Sequence, residues 1–471
     1  MSRPTPLEPS QLELEELLDA ARAHLREHLG TLPRQPMTYT GDPRPVPLAV
    51  REPLPEAGAA ASGVLETLFR DWIPVSYNTA SGGYLAYIPG GGLPTAAVAD
   101  LIATLVNRYV GVWAAAPALA ELEATVVRWF ADLVGYPKAA LGVLLSGGSL
   151  ANFTAIVTAR RERLPENFLA GRIYASDQIH HSVWKAAALA GFPRASVRSI
   201  PSDHHFRLRL DALAEAIAAD RERGDLPFLI VASAGTTNTG AVDDLEALSK
   251  LASQEQLWLH VDAAYGGFFA LTDRGRAIMK GLESADSITL DPHKGLFLPY
   301  GTGALLVRDG AALYRAHAAE ADYMPHLEAD GAHVDFCQIS PELSRDFRGL
   351  RVWLPLKLVG AAAFREALDE KLDLAAWALA ELRTVPEIEV IAPPELSLLA
   401  FRWHRAGLSE PELNAANRDL LARINARQRV HLSGTEVGGR FVLRLCVLSF
   451  RTHHVHLEAA LADLRAAMAD T

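Results

Sequence analysis

A chain of 471 residues that is 49% apolar and 21% charged is long enough for two or three domains and apolar enough for a sizeable core. Its formal net charge of −11 comes without any basic run, which argues against nucleic acid or an anionic membrane surface as the main partner and in favour of small-molecule chemistry. Cys337 and Cys446 stand far apart with no CxxC spacing, which excludes a disulfide framework or a cysteine metal site; with no apolar leader or spanning-length apolar run, a cytoplasmic protein is expected.

From the N-terminus, Ser10 to about Leu32 reads as an amphipathic helix, with Leu12, Leu14, Leu17, Leu18, Ala21 and Leu25 at helical spacing and a Ser10/Glu13 capping box. Residues 33–60 are Pro-rich and read as an extended connection. Helices are expected over 94–110 and 118–133, the second carrying an apolar stripe that is core by default. From residue 141, short β-rich runs alternate with helical stretches: 141–145, 172–175, 197–200, 228–232, 257–262, 287–290 and 304–307. Such alternation predicts an α/β fold with a mostly parallel sheet covered by helices. A long helical region over 361–384 precedes a smaller α+β unit with strands at 398–403 and 440–450 and a closing helix at 456–468. The expected organisation is a segment 1–85 for dimerisation, a large domain 86–375 and a small domain 376–471.

Four motifs fall at the ends of expected strands. Asp291-Pro292-His293-Lys294 follows the run 287–290, placing Lys294 where a buried strand surfaces. A lysine there can bond covalently to an aldehyde cofactor, provided its surroundings lower its pKa enough to leave it nucleophilic. Ser146-Gly147-Gly148-Ser149 runs from strand to helix, where backbone N–H groups and hydroxyls can face an anion; alone, it is as well explained by a tight turn. Asp262 ends the strand 257–262 and can pair with a protonated pyridine nitrogen, or simply cap the next segment. His180, in Asp177-Gln178-Ile179-His180, offers an imidazole to stack on a planar ring, and Thr236 adds a hydroxyl at the same edge. An anion turn, a stacking group, a ring-nitrogen acid and a reactive lysine together point to pyridoxal phosphate.

At these residues the chain resembles the group II pyridoxal phosphate-dependent decarboxylases of the aromatic-L-amino-acid decarboxylase type. The resemblance runs from Ala86-Tyr87-Ile88-Pro89 through the motifs above to Phe347-Arg348-Gly349-Leu350-Arg351 and Arg440-Phe441-Val442-Leu443-Arg444. It implies an aminotransferase-like subunit of fold type I, working as a homodimer with shared active sites. It also implies that Lys294 holds the cofactor, Asp262 pairs with the ring nitrogen, and His180 stacks on the ring. Gly147, Gly148, Ser149, Asp291 and His293 would surround the phosphate end, with Thr236 near the ring. Tyr87, Ile88, Pro89 and Trp113 would line the substrate pocket. The implied reaction is decarboxylation of an L-amino acid, aromatic in the first instance, to an amine and carbon dioxide.

The resemblance also implies a mobile-loop tyrosine, reaching in from the other subunit, that protonates Cα. Eleven positions before Phe347 stands Phe336, which has no proton to donate. In relatives with phenylalanine at this point the product is an aldehyde, formed with consumption of dioxygen, so an aldehyde synthase is the alternative reading. Tyr323, Cys337 and His180 are the other candidate donors. A transaminase or carbon–carbon lyase on the same scaffold is a remoter alternative.

Overall fold

The computed structural model describes residues 7–42, 44–319 and 333–470. All seven expected strands form one sheet: β1 (Leu141–Leu145), β2 (Gly171–Ser176), β3 (Val197–Ile200), β4 (Leu226–Ser233), β5 (Trp258–Asp262), β6 (Ser287–Leu290) and β7 (Gly303–Val307). Their order is β1-β7-β6-β5-β4-β2-β3. Neighbours from β3 to β6 pair in parallel, whereas β7 is antiparallel to both β6 and β1. The connection from β6 to β7 holds only the short helical turn Pro292–Gly295, so the chain returns antiparallel instead of crossing over.

The sheet is covered on both faces, which explains its apolar strands. Val143 and Leu145 of β1 and Leu229 and Val231 of β4 pack into one core, while Leu144, Ile230 and Ala232 point into the other. This topology brings the carboxyl ends of β1, β2, β4, β5 and β6 to one edge, the edge on which open α/β sheets carry their ligands.

A second, fully antiparallel sheet has the order β10-β11-β9-β8, formed by β8 (Ile388–Ala392), β9 (Leu398–Trp403), β10 (Ser433–Val437) and β11 (Arg440–Cys446). β8 and β10 are additions to the expected pair of strands, and β11 stops at Cys446 instead of running to residue 450. The helix Gly349–Leu382 joins the two sheets, beginning well before the expected residue 361. Gly360 interrupts it with φ +76°, and the expected boundary after residue 375 falls inside its second half.

Near the N-terminus the helix Gln11–Thr31 has the expected Ser10/Glu13 capping box but buries none of its residues. Leu12, Leu17 and Leu25 are exposed, as are Val98, Leu101, Ile102 and Leu105 on the helix Pro94–Val106. That second helix ends at Asn107, whose φ of +47° stops it short of the expected residue 110. Between the two, the expected extended connection includes the short helix Pro45–Ala49. Among the described residues no helix is long and apolar enough to cross a membrane.

Candidate active site

The carboxyl edge of the large sheet opens into a cavity of about 270 Å³ into which four separate strand ends bring polar groups. Lys294, His293 and Asp291 enter from the end of β6, Asp262 from β5, His180 from β2, and Ser146 to Ser149 from β1. Thr236, beyond β4, completes this edge; its hydroxyl bonds that of Thr239 at 2.8 Å and accepts from the Ala241 amide.

Lys294 Nζ lies 2.9 Å from Asp291 Oδ2, and the lysine side chain remains 23% open to the cavity. Burial pulls the Lys294 ammonium down, but the Asp291 charge and hydrogen bond more than offset it, so the net shift is upward. The sequence argument had required the opposite direction; adjacency to a carboxylate three residues away overrides partial burial. The lysine turn is held from both sides. Phe297 adopts a φ of +62°, its carbonyl accepts from the Leu93 amide at 2.7 Å, and a Cβ on Gly90 would lie 2.0 Å from the His293 carbonyl oxygen. Only glycine permits that approach.

His293 donates Nδ1–H to the Thr302 carbonyl at 2.6 Å, which leaves Nε2 for the cavity. Facing it, the helix Gly148–Arg163 starts at the double-glycine turn. Among the described residues the amides of Gly148 and Ser149 donate to no backbone carbonyl, which leaves an anion site at a helix N-terminus beside two serine hydroxyls. A Cβ on Gly148 would come within 3.0 Å of Asp291 Oδ2 and 3.3 Å of Ala264 Cβ, so any larger residue would fill the cradle.

Asp262 is 8% exposed at the end of β5, with Oδ1 accepting from the Ala264 amide and Oδ2 from Asn152 Nδ2 at 2.8 Å. His180 caps the helix His181–Leu189: its Nδ1 accepts the Ser182 amide, so in the neutral ring the proton sits on Nε2. Burial lowers the His180 pKa and favours that neutral form. Behind Lys294, burial pushes the Cys446 thiol up to about 12 and keeps it neutral.

Other expected site residues are not in this cavity. Tyr87 is 57% exposed with φ +54°, a strained conformation, held by its amide to Ser433 Oγ and by Arg444 at its carbonyl. The same arginine bonds the carbonyls of Thr237, which lines the cavity, and Asn238. Ile88 is buried in the main core and Pro89 follows it; neither touches the cavity. Trp113 lies elsewhere, stacked on His333 at 3.7 Å between ring centroids and donating Nε1–H to Glu121. Phe336 is 1% exposed in the second core, with the Arg345 guanidinium 4.9 Å above its ring, which places it outside the cavity. Cys337 beside it is also buried, and burial raises its thiol pKa. Tyr323 lies outside the described residues.

Sequence reasoning overlooked Asn152, Ser182 and Arg444 as site groups. Asn152 stands one helical turn past Gly148, on the face that looks back at β5, and that spacing was the available signal.

Residues 77–404 match the pyridoxal-dependent decarboxylase conserved domain. The chain belongs to this family. It is 35% identical over 428 residues to the aromatic-L-amino-acid decarboxylase of Bacillus atrophaeus, covering 90% of this chain and 89% of that protein. It is 31% identical over 413 residues to tryptophan decarboxylase 1 of Oryza sativa subsp. japonica, covering 82% and 80% of the two chains. The crystal structure of Oryza sativa TDC with PLP and tryptamine superposes with a TM-score of 0.94 at 28% identity and 99% coverage of both chains. The Rhodiola rosea 4-hydroxyphenylacetaldehyde synthase structure, at 24% identity, covers 98% of this chain and 99% of that one with a TM-score of 0.91 and shares the fold alone.

This pyridoxal-dependent decarboxylase is thus a carboxy-lyase of amino acids with pyridoxal phosphate as cofactor. The cavity fits that group: an open helix N-terminus for a phosphate, a glycine cradle that a Cβ would fill, and a buried Asp291 Oδ1 with no hydrogen-bond partner among the described residues.

Proposed function

We propose that the chain converts an aromatic L-amino acid to its amine and carbon dioxide, as a cytoplasmic homodimer. The observation that carries the reading is the convergence of Lys294, Asp262, His180 and the Gly148 turn on one cavity. Bound there, pyridoxal phosphate supplies an electron sink conjugated to the substrate Cα, which makes loss of the carboxylate feasible. Lys294 would hold the cofactor covalently, and Asp262 would face its ring nitrogen and keep it protonated. His180 would stack on the ring. The Gly148 and Ser149 amides, the Ser146 and Ser149 hydroxyls and His293 would bind the phosphate, with Gly147 and Asp291 shaping that end and Thr236 beside the ring. Tyr87, Ile88, Pro89 and Trp113 would bound the substrate pocket in the assembled dimer. The proton for Cα is held within the cavity at His180 Nε2 and Lys294 Nζ.

An aromatic substrate is supported by curated relatives above 30% identity that are aromatic-L-amino-acid and tryptophan decarboxylases. Amine is favoured over aldehyde because the aldehyde reading rested on Phe336, whose ring is packed in a core under Arg345. The dimer is supported by the uncovered apolar faces of the helices Gln11–Thr31 and Pro94–Val106. A reducing cytoplasm suits two buried free cysteines.

Incubating the cofactor-loaded protein with a panel of aromatic and other amino acids, in air and without oxygen, tests the reading. Amine and carbon dioxide in equal amounts in both conditions, without a keto acid, are expected. Aldehyde and peroxide formed only in air would replace it with the oxidative reaction.

A further inference from the structure

Asn152 occupies the centre of a buried hydrogen-bond network that the reaction as described does not use. Its side chain is 1% exposed on the first helix after β1. One Nδ2 hydrogen goes to Asp262 Oδ2 at 2.8 Å and the other to Ser182 Oγ at 2.9 Å. Because a carboxylate only accepts, this fixes which end of the amide is nitrogen. Oδ1 therefore faces the other way and accepts from Thr289 Oγ1 at 2.8 Å and from His260 Nε2 at 3.0 Å.

The directions propagate in both senses. His260 must carry its proton on Nε2, so its Nδ1 accepts from Ser287 Oγ at 2.8 Å, and Ser287 in turn accepts from Trp258 Nε1. On the cavity side, Ser182 Oγ accepts from Asn152 and spends its own hydrogen on His180 Nδ1 at 2.7 Å. That hydroxyl adds to the Ser182 backbone amide, which already commits His180 to the form with Nε2–H. All the relay members behind His180 are buried, so no water can substitute for a missing partner without rearrangement.

We propose that Asn152 is a positioning residue of the cofactor site: its amide, held from behind by His260 and Thr289, locks the Asp262 carboxylate and the His260 tautomer into one frame. The inference rests on the reading that Asp262 and His180 face the cofactor ring. Removing the amide frees Asp262 to rotate, strands the donors of His260 and Thr289, and lets His260 exchange tautomers.

The test uses the full chain and reads more than turnover. In cofactor-free wild-type protein, ¹⁵N spectra of the histidines should show both His260 and His180 as Nε2–H tautomers; an Nδ1–H signal at either would overturn the proposal. Asn152→Leu should lose that tautomer order at His260 and bind pyridoxal phosphate about tenfold or more weakly, with a changed pH titration of the bound cofactor's absorption band. Wild-type spectra and affinity in Asn152→Leu would overturn it. Ser182→Ala retains the backbone amide that holds His180 Nδ1 and should leave both histidine signals at Nε2–H; loss of the His260 signal in that variant would count against a frame centred on Asn152. Asp262→Asn separates the two levels. If it leaves affinity and absorption at wild-type values, the ring-nitrogen reading of Asp262 falls, whereas the histidine spectra still judge the Asn152 frame.

Discussion

Lys294 Nζ lies 2.9 Å from Asp291 Oδ2, while the other oxygen of that carboxylate is buried with no hydrogen-bond partner among the described residues. Removing the ammonium leaves a buried charge uncompensated, whereas removing both groups does not. Lys294→Ala should therefore abolish carbon dioxide release and lower unfolding free energy by on the order of 2 kcal/mol. Asp291→Asn with Lys294→Ala should recover most of that stability and none of the activity. Equal denaturation midpoints for the single and double variants would show that the pair carries no such strain.

Phe336 and Arg345 supply a second expectation. The ring lies under a guanidinium whose side chain is wholly buried and paired with an equally buried Glu123. A hydroxyl added there has to find a partner in a closed core. Phe336→Tyr should keep the ratio of amine to aldehyde unchanged and cost about 1–3 kcal/mol of stability. A shift of product towards amine would instead give Phe336 a role in the chemistry.

His317 sets a pH dependence. Its Nε2 lies 3.0 Å from Thr158 Oγ1, and burial pulls its imidazole down to about 4. Because the folded value lies below the ordinary one, the folded state binds fewer protons than the unfolded state between about pH 6.5 and 4. Stability therefore rises with pH across that window and is lost as pH falls through it. His317→Gln should flatten the fall in melting temperature on acidification, and a profile parallel to wild type would contradict the assignment.

The exposed face of the helix Pro94–Val106 carries Leu101 and Leu105 at four-residue spacing, 47% and 55% exposed. A charge at both positions should be harmless to the isolated fold and incompatible with an apolar interface. Leu101→Glu with Leu105→Glu should sediment as a monomer with wild-type helix content and with activity reduced at least tenfold. A dimer of unchanged stability would place the interface elsewhere.

Much of the large sheet was legible because its strands are apolar on both faces and bounded by turn residues, a pattern that does not depend on distant contacts. Leu141–Leu145, Val197–Ile200 and Ser287–Leu290 coincide with their expected limits. β8 was missed because Ile388–Ala392 is an edge strand of mixed composition, and β10 because Ser433–Val437 carries few apolar residues and pairs only with β11. The helical stretch from Gly349 to Gly360 was missed, although it runs through Pro355; Gly360, at φ +76°, breaks the helix, and the expected start at residue 361 coincides with its second half.

By itself the sequence determined which chemical groups the chain possesses and that each follows a strand: the lysine, the acid, the imidazole and the glycine turn are local patterns, readable from neighbouring residues. Only the tertiary structure decided what those groups do to one another. The direction of the Lys294 shift depends on an Asp291 oxygen 2.9 Å away, and the orientation of the Asp262 carboxylate depends on Asn152, on a different strand connection. The burial of Phe336 in a core of its own chain was decided for the same reason. Electrostatic and hydrogen-bond energies fall off over a few ångströms, and which atoms come that close is set by how the strands are ordered in the sheet.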